Sequence, residues 1–113
     1  VKKFNLIGFI ALFSSHLVAG EYIAINAEIT QVFNTHSNSP SFGIVVAGGT
    51  GACSGKQITF PISAAGDIKD GKSNIHLRAY STALTALTTG FKVDIYNYSG
   101  SDCNNAAFIR IKK

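Results

Sequence analysis

Apolar and polar residues alternate from Tyr22 onward, with Ile23, Ile25, Ala27 and Ile29 set against Ala24, Asn26, Glu28 and Thr30. A period of two is the signature of a half-buried strand. The apolar phase slips at Val32 and Phe33, which predicts a bulge or sharp bend near Thr30-Gln31. Asn34 to Ser41 is polar, with a Pro, and reads as an exposed loop. Phe42 to Ala47 forms a second strand. The glycine-rich stretch Gly48 to Gly55 is a flexible turn, and Gln57 to Ile62 a third strand with Ile58, Phe60 and Ile62 in phase. Ser63 to Ser73 is a polar connector. From Asn74, a candidate helix cap, the period changes: Leu77, Tyr80, Leu84 and Leu87 follow at helical spacing with Ala83 beside them, predicting a helix with that stripe against the core. Gly90 suits the left-handed residue that closes many helices. Phe91, Val93 and Ile95 alternate in a fourth strand, Tyr98 to Asn105 is a loop, and Ala107, Ile109 and Ile111 mark a fifth strand.

Three strands, a helix and two strands, with a bent first strand, is the element order of a small OB-fold-like barrel. Closing such a barrel requires strands that coil and serve two neighbours. The alternative is an open α+β sheet with one covering helix. Residues 21–113 form a single domain on either reading, because two domains would each fall near the lower limit for independent folding.

The segment before Tyr22 follows a different logic. Lys2 and Lys3 precede an apolar stretch from Phe4 to Phe13, and Leu17-Val18-Ala19-Gly20 ends in small residues. This is the layout of a secretory signal peptide cut after Gly20, or after Ala19. The run is too short for a membrane span, which needs about twenty apolar residues. Without residues 1–20 the chain carries eight cations and six acids, a net charge of +2. The cations are scattered, so the sequence predicts no nucleic-acid partner, since such binding rests on clustered positive charge. No membrane span is expected in the mature chain, and the expected location is the periplasm or exterior of a bacterium.

Cys53 and Cys103 both fall in the exported part, where an oxidising compartment favours one disulfide. The competing zinc site from Cys53, Cys103, His36 and His76 lacks the close paired spacing of common zinc ligands. No metal or cofactor is predicted. Lys56 after the glycine run superficially suggests a phosphate loop, but Gln57 stands where Ser or Thr belongs and a strand follows instead of a helix. His36 and His76 have no sequence-adjacent nucleophile or carboxylate, and Asp67 and Asp70 flank a turn at Gly71. Six carboxylates leave little material for acid-pair catalysis. The chain is therefore read as a non-enzymatic protein.

The residues that suggest recognition lie on the fourth strand. Lys92, Asp94, Tyr96 and Tyr98 recur at alternate positions, with Asn97 between the tyrosines. Exposed aromatic rings with amide and carboxylate neighbours suit sugar or peptide binding. Plain packing of the tyrosines is the competing account.

The segment LRAYSTALTALTTGFKVDIY, Leu77 to Tyr96, with a Cys-containing loop after it, resembles the helix–strand passage of the B subunits of subtilase-cytotoxin-like AB5 toxins. The stretches GGTGAC, ITFP and VDIYNY resemble more closely small exported gammaproteobacterial proteins of unknown function. The toxin resemblance implies an OB-fold, a ring-shaped homo-oligomer and a cell-surface glycan as partner. None of the toxin group's sugar contacts aligns to a position of this chain. The leading expectation is a secreted or periplasmic binding module for glycans. The alternative is an inhibitor or accessory protein that meets an exported protein partner through the Asn34–Ser41 loop.

Overall fold

The structure is a computed structural model and describes residues 19–34, 41–65 and 72–113. Residues 1–18 of the predicted 1–20 leader, the loop residues 35–40 with His36, and the turn containing Asp67, Asp70 and Gly71 lie outside the described residues. The elements are β1 (Glu21–Asn34), β2 (Ser41–Ala47), β3 (Gln57–Pro61), a 3-10 turn (Ile62–Ala65), α1 (Lys72–Thr89), β4 (Lys92–Asn97) and β5 (Phe108–Lys112). The strands form one antiparallel sheet in the order β3-β2-β1-β4-β5.

β1 is long because its two halves have different partners. The first half pairs with β4, from Glu21 opposite Asn97 to Glu28 opposite Lys92; the second pairs with β2, from Glu28 opposite Ala47 to Asn34 opposite Phe42. The register shifts between Ile29 and Gln31, where the slipped apolar phase predicts it. Two further shifts lie against β4, between Tyr22 and Ala24 and between Ala24 and Ala27; the latter spans Asn26, at φ 55°, and neither leaves a trace in the alternation pattern.

The mainly-β class and the β-β-β-α-β-β order follow the pattern. Of the two expected arrangements, the open sheet is the one found. β3 and β5 are its edges and share no ladder. Two backbone hydrogen bonds instead join β3 to the loop before β5: Thr59 N–H donates to Cys103 O (2.8 Å), and Ala106 N–H donates to Thr59 O (3.1 Å). The stretch that would have to extend the ladder is occupied by the irregular loop before β5.

One face of the sheet is the core, built from Ile23, Ile29, Phe42, Ile44, Val46, Ile58, Phe60, Val93 and Ile95. Here the helix departs from expectation. Ala79, Ala83 and Ala86 are its buried residues, while Leu77 is 59% exposed and Leu84 and Leu87 are each 39% exposed. Small side chains bring the helix axis close to the sheet, which leaves the leucines on its outer flank. Of the predicted residues, Ala83 is buried in the core and Tyr80 packs on it, edge-on to Phe42 (5.1 Å between centroids), and Phe42 stacks on Phe60 (4.6 Å). The helix begins at Lys72, so Asn74 lies inside its first turn instead of capping it. Gly90 closes it at φ 75°, its N–H donating to Ala86 O (2.9 Å).

The glycine stretch is more than a hairpin turn. It folds back along β1: Ile25 and Thr50 exchange backbone hydrogen bonds (2.9 and 3.0 Å), and Cys53 N–H donates to Ile23 O (2.8 Å). Gly49 and Gly51 hold positive φ, and a Cβ on either would run into the β1 backbone. Only glycine combines that conformation with so close an approach. The docked loop buries Cys53 and joins it to Cys103, with Cα atoms 5.8 Å apart.

Candidate functional site

Antiparallel register places Tyr22 of β1 opposite Tyr96 of β4, and Tyr96 opposite Phe108 of β5. Three aromatic residues thus cross three neighbouring strands on the outer face of the sheet. Directly opposed side chains are the unit of sheet stabilisation, and aromatic pairs gain from edge-to-face contact. Tyr22 meets Tyr96 edge-on at 4.8 Å between centroids and Phe108 at 6.4 Å. Tyr98, just past β4, meets Tyr96 edge-on at 4.8 Å and remains 65% exposed. It lines three adjoining hollows, of about 420, 250 and 130 Å³. Ser63, Ser99 and Asn105 give the second of these a polar rim.

The loop that carries Tyr98 is held from inside. Asn97 is fully buried, and its amide nitrogen donates to Asp102 O (2.8 Å) and Asp102 Oδ1 (3.1 Å). Its oxygen accepts from the Ser99 N–H (2.8 Å) and hydroxyl (2.9 Å). Asp102 Oδ2 in turn accepts from Asn105 Nδ2 (2.9 Å) and Asn104 N–H (3.1 Å). The Asn105 amide holds the Asp102 carboxyl below its ordinary pKa, outweighing the opposing effect of burial, with the Asn104 and Asn97 hydrogen bonds adding to it. The Cys53–Cys103 bond pins the same loop to the glycine stretch.

A second polar cluster lies beside the rings. Asp94 is buried and accepts from Arg110 Nη2 (2.8 Å) and Nε (3.1 Å), from Lys112 Nζ (2.9 Å) and from the Asn26 N–H (2.9 Å). Burial pushes the Asp94 carboxyl up, but the hydrogen bonds from Asn26, Lys112 and Arg110 together pull it below its ordinary value. The hydrogen bond to Asp94 raises the Arg110 pKa further. The guanidinium lies 5.6 Å from the Tyr22 ring centroid and 5.9 Å from that of Phe108, within cation–π range.

The structure therefore divides the five residues singled out on β4. Tyr96 and Tyr98 come together with Tyr22, Phe108 and Arg110. Asp94 is committed to internal ion pairs, and Asn97 faces inward and positions the loop. Lys92 is exposed at the opposite end of β4, about 20 Å from Tyr98 at strand rise. Tyr22, Phe108 and Arg110 are invisible to any reading of β4 alone. The signal that reaches them is strand pairing, which sets the aromatic ends of β1 and β5 against Tyr96. His76, considered for acid–base chemistry, donates through Nε2 to Phe60 O (2.8 Å) at a separate hollow of about 400 Å³ lined also by Phe42, Asn74 and Tyr80.

Among the described residues no group of three or more His, Cys, Asp or Glu is placed to hold a metal ion, and no helix is long and apolar enough to cross a membrane. Fold and site together describe a small disulfide-tied β module with an exposed aromatic face. The chain belongs to DUF5992, a family of unknown function, whose profile spans residues 3–113. Comparison with curated proteins and with solved structures finds no match for this chain.

Proposed function

We propose that this protein is an exported, non-enzymatic glycan-binding module whose contact face is the cluster of Tyr22, Tyr96, Tyr98 and Phe108. One observation carries the reading. Tyr98 presents a largely exposed ring, braced by Tyr96, at the junction of three hollows with hydroxyl and amide groups on the rim. A sugar ring offers an apolar C–H face for such an aromatic and hydroxyls for such a rim. The hollows are small, which suits one or two sugar units better than a protein surface. Export is supported by the leader layout of residues 1–20 and by the disulfide. The resemblance of Leu77–Tyr96 to toxin B subunits points toward the same ligand class.

The test is a glycan-array screen of the exported, oxidised protein beside Tyr98→Ala and Tyr98→Phe. Removing the ring is expected to weaken binding by about fivefold or more, equivalent to ~1 kcal/mol of lost stacking, while Tyr98→Phe keeps most of it. Neither change should move the thermal midpoint by more than a few degrees, because Tyr98 is mostly in solvent. Unchanged binding by Tyr98→Ala would place the site elsewhere.

A further inference from the structure

Strand pairing gathers cations that the sequence scatters. Antiparallel register sets Asp94 opposite Arg110, and Lys92 between Glu28 and Lys112, on the same face as Tyr22, Tyr96 and Phe108. Rows on one face of a strand are about 7 Å apart, so the aromatic row is followed by the Arg110 row and then by the lysine row. Asp94 does not cancel this charge at the surface, because it is 2% exposed whereas the Arg110 and Lys112 side chains that bind it are 50% and 37% exposed. It engages the guanidinium through Nε and Nη2, which leaves the Nη1 donors without an acceptor among the described residues. Lys92 is less well provided for. It is exposed, directly opposite Lys112, and forms no ion pair with Glu28 on its other side. Like charges directly opposed on a sheet are destabilising, so folding alone gives no reason for this pair of lysines.

Resting on the glycan-binding reading above, we propose that the ligand is a linear acidic oligosaccharide laid along β4 and β5. One sugar ring stacks on the aromatic row, and successive acid groups meet Arg110 and then the Lys92–Lys112 pair. The reach fits a chain. Tyr98 and Lys92 are about 20 Å apart at strand rise, and the hollows beside Tyr98 seat only the first one or two units. Arg110 joins the two halves of the face. Its guanidinium lies 5.6 Å from the Tyr22 ring centroid and 5.9 Å from that of Phe108, and its free donors suit a carboxylate or sulfate. An anion between Lys92 and Lys112 turns their repulsion into a shared attraction. The chemistry recognised is an acid group on a sugar, either a uronate carboxylate or a sulfate ester. A nucleic-acid strand also combines rings with anions, but it is held by a positively charged groove that follows every phosphate. Here only two rows carry cations, and Asp94 and Glu28 lie among them.

The experiment titrates the exported, oxidised protein with a short galacturonate oligomer, a sulfated oligomer of equal length, the neutral methyl ester of the galacturonate oligomer, and galacturonic acid itself. Thermal melts accompany every variant. At least one acid oligomer should bind about tenfold or more tightly than the neutral one, an advantage that shrinks as salt is raised. Lys92→Gln should weaken the acid oligomer by about fivefold, leave the neutral one unchanged, and hold or raise the melt because a like-charge contact is gone. A lysine with a purely structural role would not produce that split. Arg110→Lys keeps a cation for Asp94 but loses the planar fork, and should weaken the acid oligomer by a similar factor. Four results would each overturn the inference: acid and neutral oligomers bound equally, galacturonic acid bound as tightly as its oligomer, acid binding untouched by Lys92→Gln, or a single-stranded oligonucleotide bound more tightly than either acid oligomer. In the first three, Tyr98→Ala still weakens sugar binding and the glycan reading stands. Failure of the glycan reading itself looks different: no oligosaccharide binds, charged or neutral, or Tyr98→Ala changes nothing.

Discussion

Replacing Cys53 and Cys103 together by Ala should lower the thermal midpoint by roughly 15–30 °C. The bond spans 50 residues of sequence, and closing a loop of that length is worth about 4 kcal/mol in the chain-entropy treatment. For a domain of this size each kcal/mol moves the midpoint by roughly 4–8 °C. The bond also joins two segments with little regular structure, the docked glycine stretch and the loop bearing Tyr98. Their positions rest on a few backbone hydrogen bonds and on Asn97, so the double variant should lose order there first. The measurement is a pair of melts, wild type and variant, with glycan binding scored well below both midpoints. Binding that falls while the sheet remains folded would mean that the cross-link organises the recognition face as well as stabilising the fold. A midpoint within about 5 °C of wild type would mean that the glycine stretch holds its place without the bond.

The strands were legible because a sheet with one buried face writes its geometry into a two-residue period. Ile58 and Phe60, or Val93 and Ile95, can be placed from that period alone. Even the bulge near Thr30 shows, since a slipped phase has few other causes. The face of the helix was not legible. Periodicity locates the apolar arc of α1, and that arc includes Ala79, Ala83 and Ala86 as well as the leucines. Which part meets the sheet depends on how closely the two can approach, and small residues at the contact allow a shorter distance than leucines would. Hydrophobicity favoured the larger side chains, and packing against a surface already filled by Phe42 and Phe60 favoured the smaller.

The recognition face was half visible for a related reason. Alternation identifies Tyr96 and Tyr98 as outward-facing, but the partners of Tyr96 come from the two strands beside it, and those neighbours follow from topology. The same gap concealed Asp94. Its position in the outward phase suggested a carboxylate free for a ligand, whereas β5 supplies Arg110 and Lys112 to cover it. Asn97 shows the converse. It sits in the inward phase, where an amide must find internal partners, and the Ser99–Asp102 turn provides them.

Asp94→Asn should cost about 2 kcal/mol near neutral pH, the scale of hydrogen bonds to a charged group. The side chain keeps its shape but loses its charge toward Arg110 and Lys112, and an amide nitrogen takes one of the two acceptor positions. The loss stays below the several kcal/mol of a fully buried broken pair because Arg110 and Lys112 are half and more than a third exposed and can return to water. The sign of the pH dependence follows from the lowered pKa. The folded protein holds Asp94 ionised to lower pH than the unfolded chain, whose carboxyl titrates near its ordinary value of 3.8. Its contribution is therefore fully present above that value and disappears as pH falls through the lower folded value. Urea melts at successive pH values should show the wild type well above Asp94→Asn at neutral pH, with the two curves converging at the acid end. Asp102, also held below its ordinary pKa, should leave the variant a residual acid limb of its own. Parallel curves with no convergence would show that the variant loses packing around Asn26 instead of ion pairing, and the role assigned to the Asp94 charge would fall.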